Sequence, residues 1–118
     1  MRILIAEDDP AEREALTELA HACGHLVYAC HDGVAALAAA RWYMPDVILL
    51  DLSMPNMGGM ETAAELRTRF PKARWNVVAY TGCDSIQMRV EASAAGFTHF
   101  FIKPDELPQV LAVLCDPV

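Results

Sequence analysis

Basic side chains are scarce in this chain: 9 Lys and Arg stand against 16 Asp and Glu in 118 residues, giving a net charge of −7 and a pI near 4.9. Lysine occurs only as Lys72 and Lys103. So few cations argue against nucleic acid as a direct partner, because phosphate backbones are held by Lys and Arg. Long apolar runs are missing as well. No stretch approaches the roughly 20 residues of a membrane span, and the run from Met1 to Ala6 meets Glu7-Asp8-Asp9 too soon for a signal peptide. Cys23, Cys30, Cys83 and Cys115 form no C-x-x-C and no framework spacing, so reduced thiols in a cytoplasmic protein are expected. His21, His25, His31 and His99 are scattered, which speaks against a His/Cys metal site. Repeats, low-complexity tracts and linkers are also lacking, so residues 1–118 read as a single domain.

What is present is a regular alternation. Short apolar runs open the chain at Ile3–Ala6 and return at Leu26–Cys30, Val47–Leu50, Val77–Tyr80 and Phe100–Ile102. They are mostly continuous and rich in β-branched and aromatic residues, the pattern of strands buried on both faces. Between them lie helical patterns. Leu16, Leu19, Ala20 and Cys23 fall on one face of a helix over 10–23, with Asp9 as N-cap, Pro10 at the first position and Gly24 as stop. Further helices are predicted over 32–43, 58–70, 84–95 (with Asp84 as cap and Gly96 as stop) and 107–115. Five β-α units joined by right-handed crossovers make an α/β fold, a three-layer α/β/α sandwich on a five-stranded parallel sheet.

Open parallel sheets bind ligands beyond the carboxyl ends of their strands. There the chain places Glu7, Asp8 and Asp9 after the first strand, Asp51 after the third, Thr81-Gly82 after the fourth and Lys103-Pro104 after the fifth. The second strand ends in Cys30-His31-Asp32, which does not fit this chemistry and suits an edge position. Two carboxylates at about 4 Å repel by about 4 kcal/mol at an effective dielectric near 20, so the acids need a cation or a proton. An all-oxygen set of this kind suits Mg²⁺. Lys103 follows an apolar run and should be paired, with Asp51 as the logical partner. Taken singly, Asp8 and Asp9 could be helix caps and Thr81 a strand-end residue. Together they form a phosphoryl-acceptor constellation, with an Asp nucleophile, a metal, a hydroxyl and an ammonium.

Over nearly its whole length the chain resembles the response-regulator receiver domains of two-component signalling. The motifs are ILIAEDD after the first strand, VILLDLSMPNMGG around Asp51, AYTG around Thr81 and FFIKP ending at Pro104. The resemblance implies a flavodoxin-like, doubly wound sheet in the order 2-1-3-4-5. It implies that Asp51 is phosphorylated by a sensor histidine kinase or a histidine phosphotransfer protein. Asp8 is then a direct Mg²⁺ ligand, Glu7 acts through water, and Asp51 and the backbone carbonyl of Ser53 complete the set. Thr81 and Lys103 contact the phosphoryl group, the rotamer of Phe100 follows activation, and the Lys103–Pro104 peptide is cis. The expected function is a phosphorylation-dependent switch that assists its own phosphorylation and dephosphorylation without being a turnover enzyme. Its expected partners are the phosphodonor and a downstream protein target, with no nucleic acid or membrane, as a monomer or weak dimer. A stand-alone receiver ending at Val118 is the favoured form, with a piece of a longer regulator left open.

Four positions depart from the family pattern. Gly58 replaces a common Asp, which implies a looser loop after Asp51, and Gly82 replaces Ala beside Thr81. Asp105 puts an acid next to Lys103-Pro104, and Phe100 lacks a tyrosine hydroxyl. In the fourth helix Met88, Ala92 and Ala95 share one face while Ile86 and Val90 lie nearly opposite. The family pattern turns the first set inward and leaves Ile86 and Val90 as an outer strip for output or self-association. Three rivals remain: an aspartate-nucleophile phosphatase of the dehalogenase-like class, whose D-x-D-x-T/V motif is missing from E-D-D-P; a receiver that works without phosphorylation; and a flavodoxin-like cofactor carrier, which would need a phosphate loop after the first strand.

Overall fold

A computed structural model describes residues 1–115; the expected domain end at Val118 lies outside the described residues. The elements are β1 (Arg2–Ala6), α1 (Pro10–Ala22), β2 (Leu26–Cys30), α2 (Gly33–Tyr43), β3 (Val47–Leu50), α3 (Gly59–Arg69), β4 (Asn76–Thr81), α4 (Ile86–Ala95), β5 (His99–Ile102) and α5 (Leu107–Cys115). All strands pair in parallel, in the order β2-β1-β3-β4-β5.

Side chains alternate across a strand, so each central strand feeds two cores. Leu4, Ala6, Ile48, Leu50, Val77 and Ala79 face α2, α3 and α4, where small residues such as Ala36, Ala40, Ala63 and Ala92 allow close approach. Ile3, Ile5, Val47, Leu49, Val78 and Tyr80 face α1 and α5 through Leu16, Ala20, Val110 and Leu114. This two-sided burial is why β1 and β3 read as continuous apolar runs. β2 differs. It lies at the sheet edge and most of it stays exposed or half-buried, so its apolar run does not signal burial on both faces.

Local capping agrees with the sequence in α1, where the Asp9 side chain accepts from Ala11 N at 3.0 Å. At α4 the cap is Ser85, whose Oγ accepts from Met88 N at 3.0 Å, and not Asp84. Both residue types are good N-caps, and Asp84 instead accepts from Arg89 Nε at 3.1 Å. Gly96 ends α4 in the left-handed region at φ 104°, where glycine carries no Cβ penalty.

The thiol expectation needs a correction. Cys23 at the end of α1 and Cys115 at the end of α5 form a disulfide across 92 residues, with Cα atoms 5.4 Å apart. Cys30 and Cys83 are free, the first buried and the second exposed. Cystines are uncommon in reducing compartments, and spacing alone could not reveal a pair that only the packing of α1 beside α5 brings together. Among the described residues no helix is long and apolar enough to cross a membrane.

Candidate functional site

Strand register builds the site. Ala6 pairs with Leu50, Leu50 with Ala79, and Thr81 with Ile102, so the strands end near one level. The ladder continues past them through Asp51 N to Ala6 O at 3.1 Å and Lys103 N to Thr81 O at 2.8 Å. Glu7, Asp51, Thr81 and Lys103 therefore emerge side by side at the carboxyl edge. One carboxylate oxygen from each of Glu7, Asp8 and Asp51 lies within 4.8 Å of the others. Glu7 and Asp51 are buried and Asp8 is exposed, so the cluster opens to solvent on the Asp8 side.

Lys103 is the cation in this group. Its Nζ lies 2.9 Å from Glu7 Oε2, 2.9 Å from Glu12 Oε1 and 3.3 Å from Asp51 Oδ2. The expected pairing with Asp51 is present, but two glutamates hold the ammonium more closely. Burial works against its charge, yet the hydrogen bonds to Glu12 and Glu7 and the charge of Asp51 outweigh that and keep its pKa above the ordinary lysine value. The Nζ also lies 5.4 Å from the centre of the Tyr80 ring, within cation–π range. The Lys103–Pro104 peptide is cis. Asp105 next to it is exposed, and Lys103 forms its ion pairs with the other three acids.

Glu7 sits under opposing influences. Burial pushes its carboxyl up, the hydrogen bond from Lys103 pulls it down, and the neighbouring Asp51 charge raises it again, leaving a pKa of about 7. Burial is the largest of these influences, and the single ammonium does not offset it. A hard divalent cation with oxygen ligands suits this acidic set.

Other residues hold the frame. Ser53 N donates to Asp51 Oδ1 at 3.2 Å. Thr81 is buried and its Oγ1 accepts from Cys83 N at 3.3 Å. Arg13 Nη1 donates to Glu7 O at 2.8 Å. The loop after Asp51, which includes Gly58, is tied at three points. Asn56 Nδ2 donates to Asp32 Oδ2 at 2.7 Å, Gly33 N to Met57 O at 3.2 Å and Gly59 N to Leu52 O at 3.1 Å. Gly59 itself is required, since a Cβ there would collide with the Asp51 carbonyl oxygen.

Two acids change roles relative to the sequence reading. Asp9 is exposed and serves as the α1 cap, outside the cluster that includes Glu7, Asp8 and Asp51. Glu12, read only as part of a helix, reaches Lys103. The Asp9-x-x-Glu12 spacing is that of a capping box, which predicts a bond back to Asp9 N and not to Lys103. The reciprocal bond of that box is not made, because Asp9 N donates to Glu7 Oε1 at 3.2 Å instead. Away from the edge, Phe100 is half-buried with the Arg89 guanidinium 4.8 Å from its ring centre. On α4, Ala92 is buried and Met88 and Ala95 pack on the core, while Ile86 and Val90 are 84% and 62% exposed.

A doubly wound parallel sheet with strand order 2-1-3-4-5 and an acidic cluster at its carboxyl edge defines a flavodoxin-like α/β domain with its site at the switch point. Residues 3–114 match the response regulator receiver domain family, and the chain belongs to that family, whose members act in two-component signalling. It is 36% identical over 112 residues to response regulator MprA of Mycobacterium avium (strain 104), covering 95% of this chain and 48% of that protein. The chain thus spans about half the length of the curated relatives it matches. Among solved structures it resembles the chemotaxis protein CheY4 of Vibrio cholerae, at TM-score 0.86 and 27% identity over 96% of this chain and 97% of that one. It also resembles the receiver domain of sensor histidine kinase PA1611 from Pseudomonas aeruginosa PAO1, at TM-score 0.82 and 26% identity over 97% and 96% of the two chains. That structure carries a magnesium ion in its active-site cleft.

Proposed function

We propose that this receiver domain accepts a phosphoryl group onto Asp51 from a phosphohistidine of a sensor histidine kinase or a histidine phosphotransfer protein. The observation that carries the reading is Lys103 bridging Glu7 and Asp51 beside the open carboxylate cluster. An Asp51 oxygen attacks phosphorus in line; the new O–P bond forms as the N–P bond breaks, and the departing imidazole takes up a proton. Lys103 carries the positive charge that meets the transferring oxygens, and the Thr81 hydroxyl donates to one of them. Glu7, Asp8, Asp51 and the Ser53 carbonyl would hold Mg²⁺, which supplies further neutralisation of the phosphoryl charge when bound.

The acyl phosphate adds about −1.5 to −2 charges at the strand edge. Thr81 and Phe100 would carry that change to α4 and β5, where Ile86 and Val90 offer an apolar strip to a downstream protein or to a second copy. In this reading the domain is a cytoplasmic switch and not a turnover enzyme, a monomer or weak dimer at rest, either stand-alone or part of a longer regulator. Incubation with acetyl phosphate and Mg²⁺, followed by intact-mass analysis, tests the acceptor. One hydroxylamine-labile phosphoryl group is expected, and none in Asp51→Asn. Steady release of phosphate from phosphomonoesters would instead favour a phosphatase.

A further inference from the structure

At the opposite end of the sheet lies a feature the phosphorylation reading does not use. The C-terminal ends of α2 and α3 and the loop into β4 form an open apolar cavity of about 450 Å³, lined by Ala40, Met44, Phe70 and Trp75 together with Lys72. A second cavity of about 290 Å³ shares Phe70 and is flanked by Arg41 and Arg69. The two adjoin at Phe70, an apolar cavity beside a cationic one.

The charge distribution there is unlike the rest of the chain. Five of its nine basic residues (Arg41, Arg67, Arg69, Lys72 and Arg74) fall in this region, and residues 67–74 contain no acid. Arg67 is occupied, donating to Gly96 O at 2.7 Å and Trp75 O at 3.1 Å. Arg69 is shared with Glu65 at 3.0 Å. Arg41, Lys72 and Arg74 are exposed and have no ion pair among the described residues. Helix dipoles account for Arg41, Arg67 and Arg69, which lie in last turns. They do not account for Lys72 and Arg74 in the loop, nor for an open apolar slot beside them.

We infer that these adjoining cavities dock an acidic segment of a partner protein, one that seats a bulky apolar side chain between Met44, Phe70 and Trp75 and places carboxylates against Lys72 and Arg41. Met44 is 65% exposed and forms an open lip. A small molecule would keep much of its surface in water there, whereas ligand pockets bury about 70–90% of theirs. An extended peptide needs only one covered face. The acidic edge does not cancel this attraction. It lies beyond the far end of β4, whose six residues span about 20 Å, and charges are screened within about 8 Å at physiological ionic strength.

The test uses the full chain carrying Trp42→Phe, which leaves Trp75 as the only tryptophan. A short end-capped peptide alternating Glu with Leu is titrated while Trp75 emission is followed. A saturable blue shift is expected, weakened at least about tenfold by Arg41→Glu/Lys72→Glu and by Met44→Ser. The same peptide with Lys in place of Glu should give no saturable shift. No saturation with the acidic peptide, equal affinity in the charge-reversed variant, or equal binding of the Lys peptide would each overturn the proposal. So would a response to laurate or to phosphatidylglycerol vesicles without one to the peptide. The substituted side chains are exposed, and unchanged circular dichroism with retained Mg²⁺-dependent beryllium fluoride binding identifies folded variants.

Discussion

Lys103 and Glu12 are joined by an ion pair of 2.9 Å that ties the loop after β5 to the first turn of α1. The same ammonium lies 3.3 Å from Asp51, so Glu12 competes with the acceptor for its main positive charge. Glu12→Gln should release Lys103 toward Asp51 and raise the rate of phosphorylation by acetyl phosphate roughly two- to fivefold, a barrier change below about 1 kcal/mol. Its effect on stability should stay within about 1 kcal/mol, because the Glu12 end of the pair is partly solvated. An unchanged or slower rate would show that Glu12 does not restrain the lysine.

The strands are legible because β1 and β3 bury both faces and leave no polar interruption, and the carboxyl-edge rule then groups Glu7, Asp8, Asp9, Asp51, Thr81 and Lys103, one acid too many. The remainder needed distances. Glu12 in the first turn of a helix is already explained by the helix dipole, so nothing in its position pointed to Lys103. Asp9 looked equally able to cap and to ligate, and only the Ala11 hydrogen bond separates the two roles. Asp84 and Ser85 are neighbours with the same capping chemistry. The bond between Cys23 and Cys115 spans 92 residues and leaves no local trace.

Glu7 gives the apo domain a pH signature. Its folded pKa of about 7 stands above the ordinary 4.5, so its contribution to stability is fully present below 4.5 and is lost as pH rises through about 7. Lys103 stays charged across this window, its pKa being raised. The unfolding free energy of the metal-free protein should therefore fall between about pH 5 and about pH 8, by an amount on the order of 2–3 kcal/mol from this group, and the urea midpoint should fall with it. Glu7→Gln should flatten that fall. A wild-type midpoint that rises over the same range through Glu7 would contradict the assignment.

Thiol chemistry separates the four cysteines. In the oxidised protein a disulfide reagent should modify exposed Cys83 quickly and buried Cys30 slowly, since burial pushes the Cys30 thiol up to about 11 and keeps it protonated. All four should react after reduction and unfolding. Reducing the Cys23–Cys115 bond, which closes a 92-residue separation, should lower stability by about 4.6 kcal/mol on the chain-entropy account. Four thiols in the untreated folded protein would contradict the pairing.

Ile86 and Val90 are 84% and 62% exposed on α4 and contribute little to the core. Replacing both with Ser should leave the melting temperature nearly unchanged and reduce self-association of the beryllium fluoride-activated protein in sedimentation velocity. Equal association in wild type and variant would remove this strip from the activated interface.

The central claim is that Asp51, Lys103 and the neighbouring acids form one Mg²⁺-dependent phosphoryl site. Calorimetric titration with beryllium fluoride, a phosphoryl mimic, tests it most directly. Saturable one-site binding is predicted for the wild type in Mg²⁺, lost when the metal is removed and lost in Asp51→Asn. Binding that persists in Asp51→Asn, or that ignores Mg²⁺, or that is missing from the wild type, would contradict it.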